Sequence, residues 1–320
     1  MKPELSIVIA YHQEGQAFIE EAITQIKETI DIDNYEIIVV DDASKPPMQR
    51  VEGVKVLRQK KNLGVGQALR RGIWEAQSEN VWFQGSDIRF IPNGWASKML
   101  KEINAHPKAL SAATCIGINK DDMDIASRRN RSRRNGANII FFHDHITHPK
   151  KPANYRNILE AQWLPVLRDA TQESREIPCI LGAAYGAKKE WMQYIDIWWG
   201  HRSWGTLEPY CSLSSWLMGG SCRTVPSVEI GHIFKAAGVH GTPFHHLMYN
   251  KMLVATLLFD EYHAQRLIQF LGTNPQVNAG KQMFDDEKKE ILKKRAEYEK
   301  KIVYDVESYV KKWNIDFRQG

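Results

Sequence analysis

The sequence predicts an α/β fold, a mostly parallel Rossmann-like sheet with helices on both faces. Three observations carry this expectation. Across the first ~120 residues, short apolar runs alternate with amphipathic stretches, the rhythm of strand-helix-strand units. The apolar runs are continuous, as in strands covered on both faces. Polar and acidic residues gather just past the ends of these runs, where open parallel sheets bind ligands.

Leu5 to Ala10 is a compact apolar strand, followed by Tyr11-His12-Gln13-Glu14-Gly15. A helix is expected next, because Ile19, Ile23, Ile26 and Ile30 recur at helical spacing. Tyr35 to Val40 is a second strand, closed by Asp41-Asp42-Ala43-Ser44, and Val54 to Leu57 a short third. Asn62-Leu63-Gly64 leads into a helix around Gln67 to Ala76. Val81 to Phe83 is a fourth strand running into Gly85-Ser86-Asp87, and Pro92-Asn93-Gly94-Trp95 opens another helix.

The character changes near residue 120. Ser127 to Arg134 reads SRRNRSRR, followed by His143, His145 and His148 and a Pro/Lys loop, Pro149 to Pro152. This is read as a strand and loop insertion forming the acceptor side. Trp204 to Lys235 holds a Trp-Gly loop, Glu208, an expected helix, the Gly219-Gly220 turn and then Gly231-His232-Ile233-Phe234. Beyond Asp285 the chain is charged, with Ile291, Tyr298, Ile302, Val306, Tyr309 and Trp313 forming one helical stripe. Three parts follow: residues 1–120 as a nucleotide-binding half, 121–265 as the acceptor-binding and catalytic half, and 266–320 as a C-terminal helical extension.

The 320 residues are 43% hydrophobic and 25% charged, ordinary for a globular protein with a substantial core. A net charge of +5 permits an anionic ligand without requiring one. The four cysteines form no C-x-x-C pair and read as buried thiols of a reducing compartment. With no apolar run near the ~20 residues of a membrane span and no leader pattern, a cytoplasmic location is expected.

A carboxylate past a strand end, Asp87, and a distant imidazole, His232, can together hold one divalent cation. Taken singly, Asp87 fits a loop cap and His232 a hydrogen-bonded core histidine. Together they suit Mn²⁺, with Mg²⁺ as the alternative. Such a cation stabilises charge on a departing diphosphate. Asp41 and Asp42 can accept hydrogen bonds from a nucleoside, or simply close a turn. Glu208 can orient an acceptor hydroxyl, act as general base, or complement the helix dipole. Arg128, Arg129, Arg131, Arg133 and Arg134 read as a solvated loop or as contacts to an anionic acceptor such as DNA.

These residues resemble glycosyltransferases of the GT-A fold. Ser6 to Glu14 and Ile37 to Ser44 are similar to the first two strands of family 2, including its acidic uridine turn. The likeness is closer to the polypeptide N-acetylgalactosaminyltransferases and covers roughly residues 4–265. Gly85-Ser86-Asp87 stands at that family's Asp-x-His metal motif. Leu181 to Tyr185 resembles its Gly-Gly strand, Trp204 to Gly220 its Trp-Gly-Gly-Glu-Asn segment, and Ile230 to Lys235 its Val-Gly-His-x-Phe-Arg. Asn250 with Asp260-Glu261-Tyr262 is similar to its Asn…Asp-Glu-Tyr pattern.

The resemblance implies a GT-A domain that moves a sugar from a nucleotide-sugar donor, UDP-linked, to a hydroxyl, with a metal ion and with retention of configuration. Family 2 at large implies inversion, with Glu208 as base. The implied donor contacts are His12, Asp41, Asp42, Asn62, Gly64, Gly182, Trp204 and Lys235, with Asp87 and His232 on the metal. The departures are specific. Gly85 stands in place of the first metal Asp, Leu207 in place of the motif Glu, Glu208 in place of its Asn, and Lys235 in place of Arg. The acceptor is therefore left open between a hydroxymethylated DNA base, a protein and a glycan. The missing Asp motivates one further alternative, a non-catalytic nucleotide-sugar-binding scaffold.

Overall fold

In the computed structural model the described residues are 2–119, 133–141, 155–163, 173–181, 183–234 and 243–315. The first four strands are β1 (Leu5–Tyr11), β2 (Tyr35–Asp41), β3 (Val54–Arg58) and β4 (Asn80–Gly85). They lie in the order β4-β1-β2-β3, and every pair is parallel. Period-two placement divides their side chains between two cores. Val8, Ile38, Val40 and Phe83 face one core, while Ile7, Ile9, Ile37, Val39 and Trp82 face the other. Helices α1 (Gln16–Thr29) and α3 (Trp95–Ala105) cover the second face, and α2 (Val65–Glu75) the first.

The other half of the sheet is mixed. β6 (Ala109–Ile118) and β12 (Ser221–Ile233) pair in parallel, but β11 (Ala184–Lys188) is inserted antiparallel between β4 and β6. The mostly parallel expectation thus holds for the N-terminal strands and not for the whole sheet. β5 (Ile88–Phe90) leaves the sheet path after β4 and pairs antiparallel with β12, setting His232 opposite Ile88. That crossing brings the end of β4 to the end of β12. In the segment expected to be the acceptor side, β8 (Ala137–Ile140) and β9 (Glu160–Trp163) form a separate two-stranded sheet, while Arg133–Arg134 is a short strand, β7, on β6 and Arg175–Glu176 another, β10, on β12.

After β11 come α4 (Lys189–Tyr194), α5 (Leu207–Leu217), α6 (Phe244–Leu258) and α7 (Glu261–Gly272). The C-terminal stripe is divided between two helices, α8 (Asn278–Glu299) and α9 (Val306–Lys312), rather than one. Between them the chain turns onto the end of α5, where the Val303 and Tyr304 amides donate to the Leu217 carbonyl at 2.8 and 3.1 Å. Asp305 then starts α9 by accepting from the Ser308 amide. The extension packs on the body of the protein. Lys294 pairs with Asp196 at 2.8 Å, and the Tyr298 and Tyr309 rings are fully buried. Among the described residues no helix is long and apolar enough to cross a membrane.

Candidate active site

The sheet ends its strands on one edge, and the polar residues there form three connected groups. The first is a turn built around two adjacent aspartates with different tasks. Both oxygens of Asp41 serve its own loop, accepting from the Ser44 amide at 2.8 Å and the Met48 amide at 3.1 Å. Arg58, opposite Asp41 in the β2–β3 register, closes the arrangement as an ion pair. Hydrogen bonds from Ser44 and Met48, helped by the Arg58 charge, outweigh burial and hold the Asp41 pKa below its usual value.

Asp42 is buried too, but it holds the next loop. It accepts from the Leu63 and Gly64 amides at 2.8 and 2.7 Å and from Gln59 Nε2 at 3.0 Å. Desolvation dominates here and raises its pKa despite those bonds. His12 Nδ1 lies 2.8 Å from the Asp42 carbonyl, and its Nε2 lies 2.9 Å from Asn62 Nδ2. Since a carbonyl only accepts, Nδ1 carries the proton and Nε2 receives the Asn62 amide. His12, Asp42, Asn62 and Gly64 are therefore one hydrogen-bonded unit.

Gly64 also meets the second group. Its φ is +91°, and a Cβ there would lie 2.4 Å from the Ser203 backbone. Only a glycine admits the Trp204 loop this close. Trp204 itself is 55% exposed beside that contact. Just beyond it, Glu208 lies in the first turn of α5. Desolvation, reinforced by the Glu160 carboxylate, pushes the Glu208 pKa up to about 7. Burial, with the Glu208 charge adding to it, raises the pKa of Tyr185, whose hydroxyl accepts from the Ala183 amide at 3.2 Å. Ala184 pairs with Gln84, so this wall adjoins the end of β4.

The third group is Asp87 and His232. Asp87 Oδ2 and His232 Nε2 are 3.6 Å apart, and the Ile233 amide donates to the Asp87 carbonyl at 2.9 Å. Arg89, fully buried, donates to the carbonyls of Ser86 and Ile88 on either side of Asp87. Phe234 packs its edge on His232, with ring centroids 4.2 Å apart, and next to it Trp163. Trp163 and Phe234 are 44% and 47% exposed, and the Arg134 guanidinium lies 5.8 Å from the Trp163 ring.

A divalent cation fits between Asp87 and His232. At ordinary ligand distances of about 2.1 Å, one ion reaches both atoms across 3.6 Å. Among the described residues no group of three or more His, Cys, Asp or Glu side chains could hold a metal. His232 Nδ1 is buried and has no hydrogen-bond partner among the described residues.

Gly182, Lys235, Arg128, Arg129 and Arg131, with His143, His145 and His148, lie outside the described residues. Arg133 is described only as backbone of β7, and Arg134 faces Trp163. Arg58, Gln59 and Glu160 reach the site through pairings distant in sequence that no local pattern announces, and Arg89 reaches it through the carbonyls of Ser86 and Ile88. Phe234, next to the recognised histidine, was legible as an aromatic beside a candidate ligand.

This edge of the sheet, with its acidic turn and its carboxylate–imidazole pair, is built on a GT-A-like fold. Residues 6–163 match the family model "Glycosyl transferase family 2", and the chain resembles the catalytic domain of the polypeptide N-acetylgalactosaminyltransferases. Polypeptide N-acetylgalactosaminyltransferase 5 of Caenorhabditis elegans is 22% identical over 307 residues, covering 89% of this chain and 46% of the relative. Polypeptide N-acetylgalactosaminyltransferase 14 of Homo sapiens is 24% identical over 246 residues, covering 73% and 41%. The chain thus spans less than half the length of these relatives. In fold it is similar to GalNAc-T7, solved with UDP, GalNAc and Mn²⁺, with a TM-score of 0.61 at 18% identity, covering 81% of this chain and 49% of that one. It is also similar to S. aureus TarS 1-349 in complex with UDP-GlcNAc, with a TM-score of 0.51 at 13% identity, covering 83% and 70%.

Proposed function

We propose that this protein is a metal-dependent glycosyltransferase that moves a sugar from a UDP-sugar to a hydroxyl acceptor. The observation that carries the reading is the approach of Asp87 to His232 at the edge of the sheet where the Asp42 turn also ends. GalNAc-T7, solved with UDP and Mn²⁺, shares this fold and supports a UDP donor and a Mn²⁺-type ion.

In this reading the His12–Asp42–Asn62–Gly64 unit forms the nucleoside end of the donor cleft. Asp42 spends its carboxylate on the Leu63 and Gly64 amides, so its part is to shape that end. Trp204 forms the exposed wall. Lys235, one residue past Phe234, is proposed as a phosphate contact, and Gly182 as a donor contact. Asp87 and His232 would hold Mn²⁺ or Mg²⁺, which when bound supplies positive charge to the departing diphosphate. Arg89 keeps Asp87 in place through the flanking carbonyls.

Trp163, Phe234 and Arg134 form the acceptor side, two exposed rings tilted at 42° with a cation beside them, suited to a sugar ring or a base. Glu208 orients the acceptor hydroxyl in the retaining reaction implied by the resemblance. Its pKa near 7 favours a second reading, in which it takes the proton of that hydroxyl and the sugar inverts.

The test is hydrolysis of UDP-sugars by the purified chain with and without Mn²⁺, followed by NMR assignment of the anomer formed with an acceptor. Metal-stimulated UDP release supports the proposal. No turnover with any common donor and acceptor mixture would favour the scaffold alternative, and an inverted linkage would replace the retaining reading. The arginine run is tested by changing Arg128, Arg129, Arg131, Arg133 and Arg134 to Ser. Unaltered DNA binding and salt dependence would remove the nucleic-acid acceptor.

A further inference from the structure

We infer that Lys251 and Glu160 are positioning residues, an ion pair with a fully buried ammonium and a half-buried carboxylate that holds the Trp204–Glu208 segment against the donor cleft. The inference rests on the proposed donor site. Lys251, on α6, is fully buried, and its ammonium donates to Glu160 Oε1 at 2.7 Å and to the Ile158 carbonyl. Glu160 turns the pair toward the segment. Its Oε2 accepts from the Thr206 amide at 2.9 Å and its Oε1 from the Thr206 hydroxyl at 3.0 Å. Lys251 lies 3.4 Å from the same hydroxyl.

Thr206 needs such a hold. Its φ is +59°, a left-handed conformation that a β-branched residue adopts only when its surroundings impose it. The neighbouring helix residue secures the other end of the segment. Asn250 accepts from the Arg202 amide at 2.9 Å and donates to the Arg202 carbonyl at 2.8 Å. His201 Nε2 lies 2.8 Å from the Gly205 carbonyl. Two successive residues of α6 thus grip both ends of a segment that touches Gly64 at Ser203 and carries Trp204 and Glu208.

Burying the Lys251 ammonium is a costly way to fill space, since apolar residues of similar volume stabilise a core as well or better. An apolar pair would leave the Thr206 amide without its carboxylate. Glu160 also begins β9, so the pair joins the acceptor-side sheet to the donor-side loop. The role of the pair is therefore geometric rather than stabilising.

The experiment compares wild type, Glu160→Gln/Lys251→Met and Glu160→Gln as full chains. Hydrogen exchange is read by mass spectrometry over 201–208, and UDP affinity by calorimetry with Mn²⁺. Removing both charges together spares the fold the cost of one unpaired buried charge. The double variant should unfold near the wild-type temperature, lose protection across the segment, and bind UDP about tenfold more weakly. If it does not fold, Glu160→Gln carries the same readings at about threefold. Loss of protection with UDP affinity within about twofold of wild type would show a structural role only and overturn the inference. Unchanged protection and affinity would do the same. Wild type that does not bind UDP would refute the donor site itself.

Discussion

The Asp87 carboxylate occupies the space in which a side chain on Gly85 would begin. Its Oδ1 lies 2.5 Å from the position of a Cβ at residue 85. The departure from an Asp-x-His pattern is thus a coupled exchange, a glycine that makes room for the one carboxylate retained. Gly85→Ala, which brings no new ligand, should displace Asp87 from His232. The expected result is a loss of Mn²⁺-supported UDP affinity of about fivefold with a stability change under ~1 kcal/mol. Calorimetry and thermal unfolding check both numbers.

Gly64→Ala tests the contact between the Asp42 turn and the Trp204 loop. A Cβ would press on the Ser203 backbone, at a φ that side chains rarely adopt. Backbone cannot yield as a flexible side chain does. A loss of ~2 kcal/mol or more is expected in urea unfolding, together with weaker UDP binding. Wild-type stability in this variant would mean the two loops do not meet.

Glu208 gives a pH prediction with a definite sign. Its folded pKa, about 7, lies above the ordinary 4.5, so the folded chain holds the proton more tightly than the unfolded one. That contribution is fully present below about pH 4.5 and is lost as pH rises to about 7. At 1.36 kcal/mol per pH unit, 2.5 units give an upper bound of about 3 kcal/mol. Relative to wild type, Glu208→Gln should gain stability between pH 5 and pH 8, by up to that amount. Parallel stability curves would contradict the assignment. If Glu208 is the base, turnover should also rise through pH ~7 in wild type and lose that rise in the variant.

Trp163→Ala should raise the acceptor KM about tenfold and leave UDP affinity unchanged. A fall in UDP affinity instead would move this ring from the acceptor side to the donor side. Steady-state kinetics with varied acceptor, alongside calorimetry with UDP, separates the two.

Much of the site was legible because its local parts are. The apolar runs stop at Ala10, Val40 and Phe83, within two residues of the strand ends at Tyr11, Asp41 and Gly85, and each falls at the sheet edge. What joins them was not legible. Asp41 meets Arg58 only through the β2–β3 register, and Asp87 reaches His232 only because β5 crosses to β12. Glu160 and Lys251 are 91 residues apart, and nothing in either neighbourhood announces the other. The break between α8 and α9 had the same origin, since the apolar stripe runs on while the Leu217 carbonyl captures the turn. Pattern reports the period of an element, and tertiary hydrogen bonds decide where it stops.

The most direct test of a divalent cation held by Asp87 and His232 is UDP titration by calorimetry, with Mn²⁺ and with chelator, on wild type, Asp87→Asn and His232→Ala. Binding by wild type should weaken at least tenfold without the ion, and both variants should bind UDP at the chelated wild-type level whether or not Mn²⁺ is present. UDP affinity in wild type that is indifferent to Mn²⁺, or variants that keep the full Mn²⁺ enhancement, would contradict the account.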